Sequence, residues 1–217
     1  MQIGDSTFGA IVLLLAVGLM PLAAVTVTAF AKIAIVLGLV RNALGIQQLP
    51  PNIVIYTLAM ILAGFISLPI LTESYNAILN GGFTFDSVED WQLAGVLVLE
   101  PLTAFLIKHT DPEQLAFFTA SAEKIWVGID DNYLADQNSI AILAPAFLLT
   151  ELTEAFEIGF LLYLPFLAVD IVVTTILVAL GMMMVPPTTI SIPFKLLLFI
   201  FLDGWSKLVH GLILSYS

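Results

Sequence analysis

Apolar residues run along this chain in four long stretches divided by a polar middle. The first extends from Phe8 to Val40, interrupted by Pro21 and Lys32. A helix needs about 20 predominantly apolar residues to cross a bilayer core, so this stretch is too long for one span and predicts a kinked helix or two consecutive pieces. The second, Ile53 to Leu71, predicts a helix ending near Pro69, because proline lacks a backbone donor and clashes with the preceding turn. The third runs from Ile158 to Leu180 around Asp170, and the fourth from Ile190 to Leu202 around Lys195. The pattern predicts an all-α membrane protein in which two helical hairpins, residues 1–72 and 141–217, flank a helical domain at 73–140.

Turn chemistry divides that middle domain. Asn80-Gly81-Gly82 marks the exit from the second stretch. A helix is predicted over Val88 to Ile107, broken or bent at Pro101. Thr110-Asp111-Pro112-Glu113 has the form of a capping box, with Thr110 and Glu113 satisfying each other's backbone donors. Leu115, Phe118, Ala122 and Ile125 then recur at helical spacing, which predicts about four turns. Asp130-Asp131-Asn132 closes the pair.

Composition agrees with a membrane setting. Sixty per cent of residues are hydrophobic, 11% are charged and mean hydropathy is +1.07, against about 45–50% and about 25% in soluble domains. The formal charge of −11 is concentrated between Glu73 and Asp136, where eleven acidic residues face Lys108 and Lys124 alone. Such a domain repels nucleic acid and anionic surfaces. By the positive-inside rule, Arg41 in a short first loop, with Lys195 and Lys207 near the last stretch and few bases in the acidic domain, favours a cytoplasmic first loop and an acidic domain on the opposite, periplasmic side. Ala29-Phe30-Ala31 has the form of a signal-peptide cleavage site, but no Lys or Arg precedes the apolar run, so cleavage is not expected.

Charges inside apolar stretches cost about 2.5–3.5 kcal/mol each on insertion scales, so each needs a partner or a wet cavity. Lys32, Asp170 and Lys195 are the three concerned. They either handle ions or protons, or pair with one another or with neighbouring subunits to fix assembly; the second reading is favoured because no second carboxylate accompanies Asp170 as a relay requires. Asp170 and Lys195 can meet across a hairpin. Glu151, Glu154 and Glu157 recur every three residues at the start of the third stretch, where an interfacial or capping role is expected. They could also bind a metal or a proton, yet no His is near in sequence. His109 and His210 are read as structural. Cysteine is absent, and no phosphate loop, nucleophile elbow or zinc motif occurs, so neither a cofactor nor an enzymatic activity is expected.

Between the last two stretches lies Gly181-Met182-Met183-Met184-Val185-Pro186-Pro187. Three adjacent methionines point in three directions on a helix and cannot share one core. Met is unbranched and polarizable, so copies of this loop in a symmetric ring would stack as a deformable apolar collar. Hydrophobic constrictions of that kind exclude water and ions by dewetting.

Five motifs stand out: Arg41-Asn42-Ala43-Leu44-Gly45 with Gln47-Gln48-Leu49-Pro50-Pro51-Asn52; Glu154-Ala155-Phe156-Glu157-Ile158-Gly159-Phe160 with Leu164-Pro165-Phe166; Gly181 to Pro187; Ile192-Pro193-Phe194-Lys195-Leu196; and Leu202-Asp203-Gly204-Trp205. Together they resemble the SctR family, the type III secretion export-gate protein whose flagellar counterpart is FliP. Ile46-Gln47-Gln48 looks like the virulence-type branch, whereas Leu102 and Thr103 stand where the family often has a basic residue after the proline. The resemblance implies a pentameric ring in the bacterial inner membrane, completed by SctT-type and SctS-type subunits and packed as hairpins largely above the bilayer plane. It also implies that unfolded substrates pass through its pore and that Met182, Met183 and Met184 form the gasket. The alternative function is a small ion channel or proton-coupled transporter using Asp170, Lys195 and the three glutamates.

Overall fold

The computed structural model describes residues 2–46, 49–83, 87–126 and 139–217. Among them the chain is all helical, with eight helices: α1 (Gln2–Thr26), α2 (Phe30–Ala43), α3 (Asn52–Asn80), α4 (Val88–Lys108), α5 (Pro112–Ile125), α6 (Ile140–Ala179), α7 (Pro187–Phe201) and α8 (Gly204–Leu214). Asp130-Asp131-Asn132 and the Gln47-Gln48 pair lie outside the described residues.

The first apolar stretch is two pieces, the second of the two forms its length allows, but Pro21 does not divide them. α1 passes through Pro21, and the break falls at residues 27–29. There the Thr28 hydroxyl donates back to the Ala24 carbonyl, and its oxygen accepts from the Phe30 amide at 3.2 Å. One side chain thus serves the end of α1 and the start of α2. Two other prolines are also absorbed. α3 continues eleven residues beyond Pro69, to Asn80, and α4 is unbroken at Pro101. A proline removes one donor and strains one turn, a local cost that long apolar helices tolerate.

The predicted capping box is replaced by a simpler cap. Asp111 is the N-cap of α5, its carboxylate accepting from the Glu113 and Gln114 amides at 2.7 and 3.3 Å, with Pro112 in the first turn. Thr110 instead donates to the Leu106 carbonyl of α4 at 2.6 Å. Asp beats Thr here because its carboxylate also meets the positive end of the helix. Asp111→Ala should cost about 1 kcal/mol and lower the thermal midpoint in detergent by about 2–4 °C, while Asp111→Asn stays near the parent. An unchanged midpoint for the alanine variant would show that the cap contributes nothing.

Contacts divide the chain into two compact units, residues 1–31 with 64–151 and residues 32–63 with 152–217. Composition divides the same chain into three consecutive segments; packing instead gives α3 and α6 a share in both units. In the first unit, Val27, Leu106, Leu143 and Phe147 form a buried cluster, with Leu102, Phe105 and Leu115 against it. Asp111 donates its backbone N–H to Thr150 Oγ1 at 3.1 Å, and Ser74 Oγ donates to the Val98 carbonyl at 3.0 Å, tying α3 to α4. In the second unit α2 buries Ile33, Val36, Leu37 and Val40, and Leu44 just beyond its end is buried too. The four helical positions recur at the spacing of one helix face.

Three helices, α3, α4 and α6, are long and apolar enough to cross a membrane, and two bent helix pairs raise the total to five at most. Only 22%, 11% and 17% of the residues in their most apolar windows are buried within the chain. Lipid or other subunits must therefore cover the rest. The inclusion of α4 was not anticipated, because its acidic flanks mask an apolar centre. α6 has 40 residues, about 60 Å at 1.5 Å per residue, twice the thickness of a bilayer core. The third apolar stretch is only its C-terminal half.

Candidate functional site

The second unit holds the sequence's two conspicuous features: the methionine turn at the tip of α6 and α7, and two buried lysines, Lys32 on α2 and Lys195 on α7. α6 ends in a Schellman motif. The Met182 amide donates to the Leu177 carbonyl at 2.9 Å and the Gly181 amide to the Val178 carbonyl at 3.0 Å, with Gly181 at φ 72°. Only glycine adopts that conformation without strain. The Val185 amide then donates to the Met182 carbonyl at 3.3 Å, closing a turn with Met183 and Met184 at its two corner positions. Pro186 caps α7 and Pro187 starts it, a position where a missing N–H costs nothing. The corners are consequently pushed outward: Met183 is 80% exposed and Met184 97%, while Met182, at 41%, leans on an apolar groove with Ile176, Leu177 and Phe194.

Both lysines are held by several partners. Lys195 Nζ lies 2.5 Å from Asp170 Oδ2 and donates to the Ala43 carbonyl at 3.0 Å. Ala43 is the last residue of α2, where unsatisfied carbonyls concentrate negative charge. One ammonium therefore joins α6, α7 and the end of α2. Lys32 Nζ lies 2.6 Å from Glu154 Oε2 and 4.2 Å from the ring centre of Tyr216. A desolvated cation over an aromatic face gains about 2 kcal/mol, so the aromatic ring supplements a carboxylate that is itself 44% exposed. Tyr216 and the Ala43 carbonyl carry no sequence signal, since their partners lie 184 and 152 positions away along the chain.

Arg41 is in the last turn of α2 and not in a loop. Its Nη1 donates to Asn52 Oδ1 at 2.5 Å and to the Pro50 carbonyl at 3.3 Å, so it fastens the connection between α2 and α3 while offsetting the negative end of α2. The three glutamates are not at a helix start either. α6 begins at Ile140, so Glu151, Glu154 and Glu157 sit in its interior, beyond the first turn in which the helix dipole favours carboxylates. The capping role falls away. Glu151 is fully buried, Glu154 pairs with Lys32, and Glu157 is exposed. Among the described residues no three His, Asp or Glu side chains cluster as a metal site. His109 is the C-cap residue of α4, its ring 4.7 Å from Phe105, and His210 is exposed.

The Leu202-Asp203-Gly204-Trp205 motif forms the corner between α7 and α8, which are bent by 61°. Asp203 sits in the left-handed region at φ 52° and accepts from Ser206 Oγ at 2.9 Å. The Phe199 ring lies against Gly204 so closely that a Cβ there would stand 2.3 Å from it, and the same ring meets Trp205 edge-on at 5.3 Å.

The methionine turn, the α7–α8 corner and the residues Arg41, Glu154 and Lys195 fall on the motifs that carry the resemblance, and the FliP family model matches residues 13–212. The chain belongs to the FliP family. It is 52% identical over 203 residues to the probable translocation protein y4yL of Sinorhizobium fredii, covering 93% of this chain and 90% of that one. It is 46% identical over 210 residues to the Yop proteins translocation protein R of Yersinia pestis, covering 95% of each. The hypersensitivity response secretion protein HrcR of Ralstonia nicotianae is 45% identical over 211 residues, again with 95% of each chain covered. The resemblance to the type III secretion members of this FliP family therefore extends over nearly the whole chain, the acidic middle included.

Proposed function

We propose that this FliP-family chain is a core, non-enzymatic subunit of a type III secretion export gate in the bacterial inner membrane. Five copies of it, the number that the family resemblance implies, would join SctT-type and SctS-type subunits around a conduit for unfolded substrates. The observation that carries the reading is the methionine turn: two corner side chains thrown outward from a Schellman-capped helix end. Brought together around an axis, such turns make a soft apolar collar that closes to water and yields to a chain. The pairs that buried Lys195 makes with Asp170 and buried Lys32 with Glu154 hold the helices that present the turn. The acidic residues between Glu73 and Asp136 would face the periplasm, in the domain at 73–140 between the hairpins at 1–72 and 141–217.

Changing Met182, Met183 and Met184 together to Ala in cells assembling the complex tests the collar. Ion leak across the inner membrane should rise while a native gel shows an intact complex. Unchanged leak and unchanged secretion in an intact complex would mean that the pore closes elsewhere. The transporter alternative finds less support, because the Asp170 carboxylate is engaged by Lys195 and no second carboxylate stands beside it in sequence.

A further inference from the structure

Between α6, α7 and α8, within the second unit, lies an apolar cavity of about 350 Å³ lined by residues including Val40, Ile158, Phe166, Leu198 and Leu212. Lys207 also lines it and is exposed. Lys32 and Lys195, the other lysines of this unit, are buried in ion pairs, whereas no ion pair engages Lys207 among the described residues. Gly211 belongs to the lining, and a Cβ built on it meets nothing within 4 Å. The missing side chain leaves the space open.

We propose that this cavity is a glycerophospholipid site, with one acyl chain among the apolar residues and the phosphodiester anion at Lys207. An acyl chain removes apolar lining from water without leaving any polar group unsatisfied. A lysine on a long apolar stem can cover the cavity edge while keeping its ammonium at the headgroup level. The negative charge of the chain as a whole does not oppose this arrangement, because it is concentrated between Glu73 and Asp136. From Ile158 to Ser217 the two acids, Asp170 and Asp203, equal the two bases, Lys195 and Lys207.

The test is native mass spectrometry of the complex assembled from the full chain, purified with phosphatidylglycerol present. Bound phosphatidylglycerol is expected on the parent complex. Lys207→Glu should lower its retention at least about fivefold, as loss of one basic charge beside an anionic headgroup implies, and Lys207→Arg should restore it. Gly211→Leu fills the space that the glycine leaves, and should displace lipid from a complex that still assembles. Parent complex without lipid, as when another subunit occupies the cavity, would overturn the proposal. Equal retention in the parent, Lys207→Glu and Gly211→Leu complexes would overturn it too. Because the readout is bound lipid and not secretion, failure here leaves the export-gate reading untouched.

Discussion

Asp170→Asn is expected to reduce the amount of assembled complex sharply, and with it secretion, whereas Asp170→Asn combined with Lys195→Met should recover a substantial part of both. Lys195 is 6% exposed at its side chain and rests on one carboxylate and one carbonyl. Removing the carboxylate leaves a buried ammonium with a single neutral acceptor, and breaking a buried pair on one side typically costs about 3–5 kcal/mol. That is a large fraction of the about 5–15 kcal/mol that keeps a typical chain folded. Replacing both partners removes the unpaired charge, a change that is often near neutral. Lys195→Ala leaves the Asp170 carboxylate without its cation and loses the bond to the Ala43 carbonyl, so it too should lower assembly.

The double variant separates two roles that single variants confuse. If the pair is structural, complex and secretion return together. If Asp170 carries protons, the double variant assembles and stays inactive, since neither Asn nor Met titrates. That outcome would favour the transporter reading and remove the pair from the list of assembly contacts. Native gels of membranes, run beside secretion assays on the same cells, give both quantities.

How much of this was legible in advance depends on how local each signal is. Helix identity was plain because apolar length is written consecutively, and length alone left the first stretch as either a kinked helix or two pieces. Helix ends were harder. Pro69 suggested a helix end, Pro101 a break or bend and Pro21 an interruption, yet all three lie inside helices, because a long apolar helix loses less by absorbing a proline than by exposing several backbone groups. Glu151, Glu154 and Glu157 were mistaken for a helix start because the polar spacing masks the apolar residues that precede them from Ile140. Gly181 and the prolines that follow it announced the tip correctly, for that chemistry is confined to seven residues. The contacts of Lys32 and Lys195 with Tyr216 and Ala43 join residues remote in sequence, and no periodicity reaches that far.

Gly204→Ala should impair assembly more than an alanine substitution at a helix start ordinarily would. Alanine is the better helix former, so propensity alone predicts a small gain. The added carbon, however, would lie 2.3 to 2.7 Å from three atoms of the Phe199 ring. Phe199 is 8% exposed and packs on Phe166 at 6.2 Å and Trp205 at 5.3 Å, so the ring has little freedom to withdraw. Overpacking of this sort costs about 1–3 kcal/mol, and here it would also open the 61° corner between α7 and α8. Phe199→Leu in the same chain frees the space but forfeits the edge-on contact, worth about 0.5–1.5 kcal/mol. The paired variant should therefore assemble better than Gly204→Ala and less well than the parent. A Gly204→Ala chain that assembles normally would show that the corner yields more readily than its packing suggests. A paired variant no better than Gly204→Ala would show instead that the bare backbone at Gly204 is needed by something other than Phe199, which would move attention to whatever packs on this corner in the assembled gate.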